Sequence, residues 1–214
     1  MQRLAVFVVL ACAFAASSAS AQPIDALHGD VVAVEGSRLR VRSDAGQEVR
    51  MALPDTVTIS VRAPVAADAI RPGDFIATTA SAQPDGTLRA SEVRIFPESM
   101  RGLGEGHRPM KNKPDSTMTN ATVAGVSGAP RTMTNATVAT RDEHADALTL
   151  RLTYKGGEQT VVVPSGVPVM SVENGDRGSL APGAHVVVYA SRAHDGGVTA
   201  ERISVGKNGW TPPL

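Results

Sequence analysis

The sequence contains one cysteine, few aromatic residues and no surplus of either charge. A single thiol excludes a disulfide framework and any zinc or iron–sulfur site built on several cysteines. Lys and Arg number 21, as do Asp and Glu, so an electrostatic nucleic-acid binder is excluded because such proteins need a basic surplus. Hydrophobic residues make up 42% of the chain, which predicts a packed core rather than bulk disorder.

The first residues have the pattern of a signal peptide. Arg3 supplies a positive charge, residues 4–16 are almost wholly apolar, and residues 19–21 (Ala-Ser-Ala) provide the small side chains that signal peptidase recognises. The apolar run is shorter than the roughly 20 residues of a membrane-spanning helix. We therefore expect cleavage before Gln22 and a bacterial protein that is periplasmic or secreted, with no transmembrane span in the mature chain.

Residues 9–12 (Val-Leu-Ala-Cys) offer an alternative, because they resemble a lipobox that would acylate Cys12. Leu10 is an unusual residue for its position in that motif, and the apolar run would then end very early. Cleavage before Gln22 is therefore the expectation, and a lipoprotein at Cys12 is the alternative. With that cleavage the mature chain has no thiol.

Two stretches of the mature chain have similar sequence patterns when they are compared at an offset of 110 residues. The matching positions include Pro54 with Pro164, Gly73 with Gly183, Gly86 with Gly196, and Ala90 with Ala200. Agreement of turns and spacing together predicts an internal duplication of one small domain. The predicted organisation is a signal peptide (1–21), an N-terminal tail (22–27), β-domain 1 (28–97), a Gly-rich linker (98–117), β-domain 2 (118–207) and a C-terminal tail (208–214).

Both copies have the period-two alternation of β-strands. Apolar residues alternate with polar ones through 39–41 and 49–53 in the first copy and through 148–152 in the second. Residues 65–70 favour one short helical turn, and no segment has a sustained helical period. Five or six short strands in each copy predict an all-β protein of two tandem OB-like barrels, since closure removes free strand edges. A small sandwich is the alternative.

An exact octapeptide, Thr-Met-Thr-Asn-Ala-Thr-Val-Ala, occurs at 117–124 and again at 132–139. Its Thr and Val residues favour a strand. Only one copy can form the first strand of the second domain. We expect residues 132–140 to do so, because they directly precede Leu148, and residues 117–126 to pair at an edge or lie loose.

Several motifs carry a family resemblance. The Leu/Ile-x-Pro-Gly turn and the Asp-Gly-x-Leu-x-Ala-x-x-Val ending resemble a bacterial family of exported β-proteins of unknown function with an OB-like domain. The segments MRGLGEGH, STMTNATV and VGKNGWTPPL resemble proteobacterial exported proteins that carry the label "metal ABC transporter permease". That label implies several membrane spans, which this chain lacks after cleavage. The resemblance implies a β-fold and an export route, and it assigns no activity or active-site residues.

One candidate metal site stands out. His107 lies in a Gly-rich segment with three methionines around it, Met100, Met110 and Met118. Imidazole and thioether groups suit copper, and an exported protein meets copper outside the cytoplasm. The alternative is an ordinary polar linker with surface methionines, since spaced ligand motifs such as His-x-x-x-His are absent.

Other polar residues favour structural roles. The charged run 142–146 is expected to be a solvated hairpin loop rather than a cation site. His185 is expected to be an ordinary strand histidine. The sequence has no Gly-x-Ser-x-Gly nucleophile elbow, and it fixes the geometry of no acid–base pair. An enzyme is therefore the third hypothesis, and no catalytic residue is assigned.

Two functions therefore remain. The first is a noncatalytic exported protein of the cell envelope that binds or scaffolds an unknown envelope protein or small ligand, by analogy with OB-like barrels. The alternative is periplasmic handling of copper or a cofactor through His107 and its methionines. Nucleic acid is not an expected partner.

Overall fold

The computed structural model describes residues 22–110, 113–128 and 147–213. Over these residues the protein is all-β, as the alternation predicts. The described part contains no helix that is long and apolar enough to span a membrane. The predicted signal peptide with Cys12, the second octapeptide (132–139) and the charged run 142–146 lie outside the described residues.

Within the described residues, thirteen strands form one continuous hydrogen-bonded sheet. Their bounds are β1 (Gln22–Glu35), β2 (Arg38–Ser43), β3 (Glu48–Ala52), β4 (Thr58–Val65), β5 (Phe75–Ala82), β6 (Leu88–Phe96), β7 (Gly106–Pro109), β8 (Ser116–Ser127), β9 (Leu148–Tyr154), β10 (Gly157–Val163), β11 (Val169–Asn174), β12 (His185–Arg192) and β13 (Val198–Gly206).

The sheet closes on itself twice. Strands β1, β2, β3, β13 and β12 form one ring, which we call barrel A, and strands β5, β6, β10, β9 and β8 form a second ring, barrel B. Each ring therefore combines three strands from one half of the chain with two from the other. The sequence boundaries 28–97 and 118–207 divide the chain by similarity, whereas the barrels are built from both parts.

Each barrel has its own hydrophobic core. The core of barrel A joins residues such as Leu39 and Val41 of β2 with Val188 and Ile203 of β12 and β13. The core of barrel B likewise joins Ile76 and Val93 with Leu150 and Leu152. Because both cores take side chains from both halves, neither half can bury its apolar face alone.

The exchange of strands occurs at two Pro-Gly turns. Gly73 donates its backbone N–H to Val123 of β8 at 2.8 Å, and Gly183 donates to Val31 of β1 at 2.8 Å. Both glycines have positive φ, 94° and 83°, which a side chain would disfavour. Each turn therefore docks on the first strand of the opposite half.

Strands β4 and β11 pair antiparallel between the two barrels. Arg62 lies opposite Val172, and these two residues are 110 positions apart in the sequence. The parallel pairings obey the same relationship. Val93 pairs with Val169, and the residues 110 positions away from them, Ile203 and Ile59, also pair with each other. The two barrels are thus related by an approximate two-fold axis that passes between Arg62 and Val172.

The octapeptide at 117–124 corrects one sequence expectation. It lies in β8, which pairs with β5 on one side and with β7 and β9 on the other. Ala121 and Val123 are buried in the core of barrel B. The first copy therefore forms the first strand of the second half, because its alternating Thr119, Ala121 and Val123 face the core. Our expectation that residues 117–126 pair at an edge or lie loose is wrong.

The interval 98–117 differs from a plain linker. It contains β7, which pairs with β8, and it leads directly into β8. Asn120 donates its side-chain N–H to the carbonyl of Leu103 at 2.9 Å, and the Arg101 guanidinium lies 6.0 Å from the Phe75 ring centroid. This segment therefore covers part of the outer face of β5 and β8.

The C-terminal residues cover another part of the same face. A Cβ atom on Gly206 would lie 1.5 Å from the carbonyl oxygen of Trp210, so only glycine allows this approach. Gly206 is aligned with Arg62 in the β4–β13 ladder. The chain after β13 thus packs beside the centre of the shared sheet.

Candidate functional site at the centre of the shared sheet

Strand β4 places a charged residue where the two barrels meet. Ile59 and Val61 face the core of barrel A. Ser60 and Arg62 lie on the opposite face of the strand, because successive side chains alternate. They are nevertheless only 8% and 7% exposed, since neighbouring strands and covering segments enclose that face.

Arg62 has buried donors without a partner. Within the described residues, its Nε and Nη1 atoms have no hydrogen-bond acceptor. Buried polar atoms are almost always hydrogen-bonded, so an unpaired buried guanidinium requires an explanation. Donors buried in this way also oppose folding, because they lose hydration without gaining a hydrogen bond.

Four charged or polar side chains lie within electrostatic range of Arg62. Two are Glu92 and Arg94 of β6, which form an ion pair with each other, and two are Tyr189 and Arg202 of β12 and β13. The Arg202 guanidinium lies 4.1 Å from the Tyr189 ring centroid, within cation–π range. We call these five residues the central cluster.

The central cluster has an excess of positive charge. It contains three guanidinium groups and one carboxylate, a surplus of two charges. Burial lowers the pKa of Arg62 well below its ordinary value, to about 10, and the like charge of Arg94 is the next largest cause. Glu92 opposes this shift without cancelling it. The structure therefore keeps Arg62 charged at neutral pH under an energetic cost.

The cluster is asymmetric although it lies on the two-fold axis. At an offset of 110 residues, Arg62 corresponds to Val172, and Glu92 corresponds to Arg202. Val172 fills its position with an ordinary buried side chain, 5% exposed. The fold thus accepts an apolar residue at this position, and the arginine is not needed to form the β4–β11 pair.

Two buried hydroxyls lie on the same face. Ser60 and Ser204 are neighbours in the β4–β13 ladder, and their Oγ atoms are 3.4 Å apart. Ser204 is fully buried. The face beside Arg62 therefore presents guanidinium and hydroxyl donors, an arrangement suited to holding an acceptor group.

The structure separates His107 from Met118. The two residues lie on paired strands, where His107 is opposite Thr119 and Arg108 is opposite Met118. Since adjacent residues on a strand point to opposite faces, the imidazole and the Met118 thioether project away from each other. His107 Nδ1 bonds Thr119 Oγ1 at 2.8 Å, so one ring nitrogen already has a partner.

The other methionines of the predicted copper site have different positions. Met100 ends a short 3₁₀ turn, and Met110 follows β7, where its backbone N–H bonds the carbonyl of Ser116. Met118 Sδ lies 3.4 Å from Arg108 Nη2. Among the residues with described positions, no group of three or more His, Cys, Asp or Glu side chains is placed to hold a metal ion.

His185 has the structural role expected from the sequence. It begins β12, is half-buried, and its Nδ1 contacts the carboxylate of Asp30 on the neighbouring strand β1. The contact joins the two halves of the chain at the edge of barrel A. It provides no link to His107 or to the central cluster.

Sequence reasoning missed the central cluster. Arg62 follows Ile59 and Val61 in a pattern that normally places arginine in solvent. The signal that would have singled it out is the comparison at an offset of 110 residues, which sets a charged residue against Val172 within otherwise similar segments. That mismatch marks a position where the two halves have diverged.

A comparison with protein families gives a match over part of the chain. A family model described as a domain of unknown function (DUF5666) matches residues 117–204, which span β8 to β13 almost completely. No curated protein matches the chain, and neither does any solved structure. The match agrees with the expected family of unknown function, and nothing supports the resemblance to proteins labelled "metal ABC transporter permease".

Proposed function

We propose that this protein is a noncatalytic, exported binding protein of the cell envelope, and that its ligand contacts the central cluster. The observation that carries the proposal is the buried Arg62 guanidinium, whose Nε and Nη1 find no acceptor in the described part of the chain. A binding partner that supplied an acceptor would remove the cost of burying that charge.

The energetics support a binding role over a structural one. The fall in the pKa of Arg62 to about 10 corresponds to roughly 3 kcal/mol against the charged form, with burial as the largest cause and the like charge of Arg94 as the next. Val172 shows that an apolar residue fits the equivalent position. A residue that weakens the fold where an apolar one fits is typical of a functional site, because function and stability are often in conflict there.

The fold suits such a role. Two rings joined through β4 and β11 hold Arg62 between two packed cores, so its position is fixed by backbone pairing on both sides. Rigid placement of a binding group lowers the entropic cost of association. Arg202 is exposed and Arg94 is partly exposed, which leaves the cluster a side towards solvent.

A thermal-shift screen tests the binding proposal. Organic acids, phosphates, sugars, amines and short peptides are added separately to the wild type, to Arg62→Met and to Arg50→Met. Arg50 is the matched control, because its side chain is 75% exposed on β3 and its loss removes the same charge. We expect at least one ligand to raise the melting temperature of the wild type and Arg50→Met and not of Arg62→Met.

The proposal fails if no compound stabilises the wild type, or if every shift is equal in all three proteins. If the Arg62→Met variant still captured an envelope protein, that result would support a scaffolding role instead.

Export has its own test. We expect the mature protein in the periplasmic or secreted fraction, with Gln22 at its N-terminus. An acylated N-terminus at Cys12 would show a lipoprotein, and an uncleaved chain in the cytoplasm would contradict export. Cell fractionation followed by intact-mass measurement separates these three results.

A further inference from the structure

We infer that the central cluster binds an oxyanion, a carboxylate or phosphate group, with Arg62 as the inner donor and Arg202 as the donor on the solvent side. This inference rests on the proposed function and specifies its ligand chemistry. The evidence for an oxyanion is the set of hydrogen-bond donors in the cluster and the subset of them that already has acceptors.

The cluster offers more donors than acceptors. The Nε atom of Arg62 carries one N–H and Nη1 carries two, and these are buried without an acceptor in the portion of the chain that is described. A guanidinium has no acceptor atom, so only a ligand that accepts hydrogen bonds can complete it. Ionised carboxylates accept hydrogen bonds and donate none, and phosphates present mostly acceptor oxygens.

The carboxylate of the cluster is already engaged. Glu92 is 7% exposed and pairs with Arg94, which is two residues further along the same strand face. Arg202 contacts the Tyr189 ring, an interaction that leaves its N–H donors free to turn towards another group. An incoming anion thus meets a charge surplus that the resident carboxylate does not neutralise.

The hydroxyls beside Arg62 extend the donor set. Ser60 Oγ lies 3.5 Å from the carbonyl of Ile203 and 3.4 Å from Ser204 Oγ, both at the long limit for hydrogen bonds. Rotation of either hydroxyl would direct a donor towards an oxyanion near Arg62. Hydroxyl and guanidinium donors together are the common means by which proteins hold carboxylates and phosphates.

Calorimetric titration of the purified protein at low salt tests the inference. The probes are acetate, succinate, inorganic phosphate and the neutral acetamide, which has the shape of acetate without its charge. We expect one class of oxyanion to bind and acetamide to give no heat. A preference for acetate and succinate identifies a carboxylate site, and a preference for phosphate identifies a phosphate site.

Three variants locate the binding. Arg62→Met is expected to raise the dissociation constant at least tenfold, and Arg62→Lys is expected to give an intermediate loss because it keeps the charge and loses the planar donors. Arg50→Met is expected to bind as the wild type does. Binding is also expected to weaken as NaCl is added, since an ion contact is screened. Circular dichroism spectra and melting curves of each variant show that it is folded.

The outcomes separate this inference from the proposed function. If the thermal-shift screen finds an Arg62-dependent ligand that is not an oxyanion, the oxyanion inference is overturned and the proposed binding role stands. If no ligand of any class depends on Arg62, both are overturned, and water is then the partner of the guanidinium. Equal oxyanion affinity in Arg62→Met and wild type overturns the inference as well.

Discussion

Arg62 and Val172 lie opposite each other in the β4–β11 ladder, and they occupy the same position in the two halves of the chain. The pairing places the approximate two-fold axis of the molecule between a buried charge and a buried apolar side chain. Symmetry in the backbone is thus combined with asymmetry in the side chains. The asymmetric pair is the feature from which the proposed binding site follows.

The exchange of strands predicts that neither half folds alone as a monomer. Fragments 22–97 and 98–214, expressed separately, are expected to give no cooperative unfolding transition as monomers, because each barrel core needs both. Co-expressed, they are expected to purify as a 1:1 complex. Size-exclusion chromatography with light scattering checks both results, and a folded monomeric fragment would contradict the exchange.

Arg177 joins the halves at the edge of barrel A. It donates to the backbone carbonyls of Gly36 and Leu53 at 2.8 and 2.7 Å, and to Asp55 Oδ1 at 2.7 Å. Arg177→Met is expected to lower the free energy of unfolding by roughly 1–3 kcal/mol, since two carbonyls lose their donor.

Asp55 provides the matched control for that prediction. Its side chain is 99% exposed, so Asp55→Ala is expected to cost less than about 1 kcal/mol. Urea unfolding of both variants measures the difference. Equal losses would show that the ion pair, rather than the carbonyl contacts, stabilises this edge.

The two octapeptides allow a comparison in identical local sequence. Ala121 is fully buried in β8, so Ala121→Asp is expected to destabilise the protein by several kcal/mol, roughly 3 or more, because a charge enters the core of barrel B. Ala136→Asp makes the same change in the second copy and is expected to have little effect. Thermal unfolding of the two variants decides between the copies, and the reverse order would restore residues 132–140 as the first strand.

Copper binding tests the placement of His107. Because His107 and Met118 project from opposite faces of the β7–β8 ladder, we expect no shared site and equal Cu(I) affinity in the wild type and His107→Gln. Competition with a chromogenic Cu(I) chelator measures the affinity. A loss of tight binding in His107→Gln, with Met118→Leu giving the same loss, would establish the copper site predicted from the sequence.

The strands were largely predictable from sequence because their signals are local. Alternation at Leu39 and Val41, the turn at Gly73 and the turn at Gly86 each depend on a few neighbouring residues. Strands β4 and β11 were harder to predict. The apolar patterns that begin at Ile59 and Val169 are short. The polar faces of these strands are buried by segments that are distant in sequence.

The exchange of strands between barrels could not be predicted in the same way. Strands β5 and β6 have the same alternation whether they pack on β1–β3 or on β8–β10, because period-two patterns identify a buried face and not the partner. The burial of Arg62 follows from that choice of partner. The burial of Arg62 therefore cannot be predicted from the sequence without knowledge of the strand pairing.

The pH dependence of stability follows from the pKa of Arg62. Because burial lowers that pKa to about 10, the cost of the charged form is fully present well below pH 10 and is relieved as the pH rises through 10 towards the higher pKa of the unfolded state. Between about pH 6 and 9 the group is charged in both folded and unfolded states, so its contribution is constant there. The stability difference between wild type and Arg62→Met is therefore expected to be unchanged across this range.

The most direct test of the account is the free energy of unfolding of ligand-free Arg62→Met, measured by urea denaturation at pH 7 in a zwitterionic buffer at low salt. If Arg62 is retained for binding at the expense of stability, the variant is more stable than the wild type by about 1–4 kcal/mol. The control Arg50→Met stays within about 0.5 kcal/mol of the wild type. A variant that is less stable than the wild type by a similar amount would show that Arg62 supports the fold, and would contradict the binding site at the centre of the sheet.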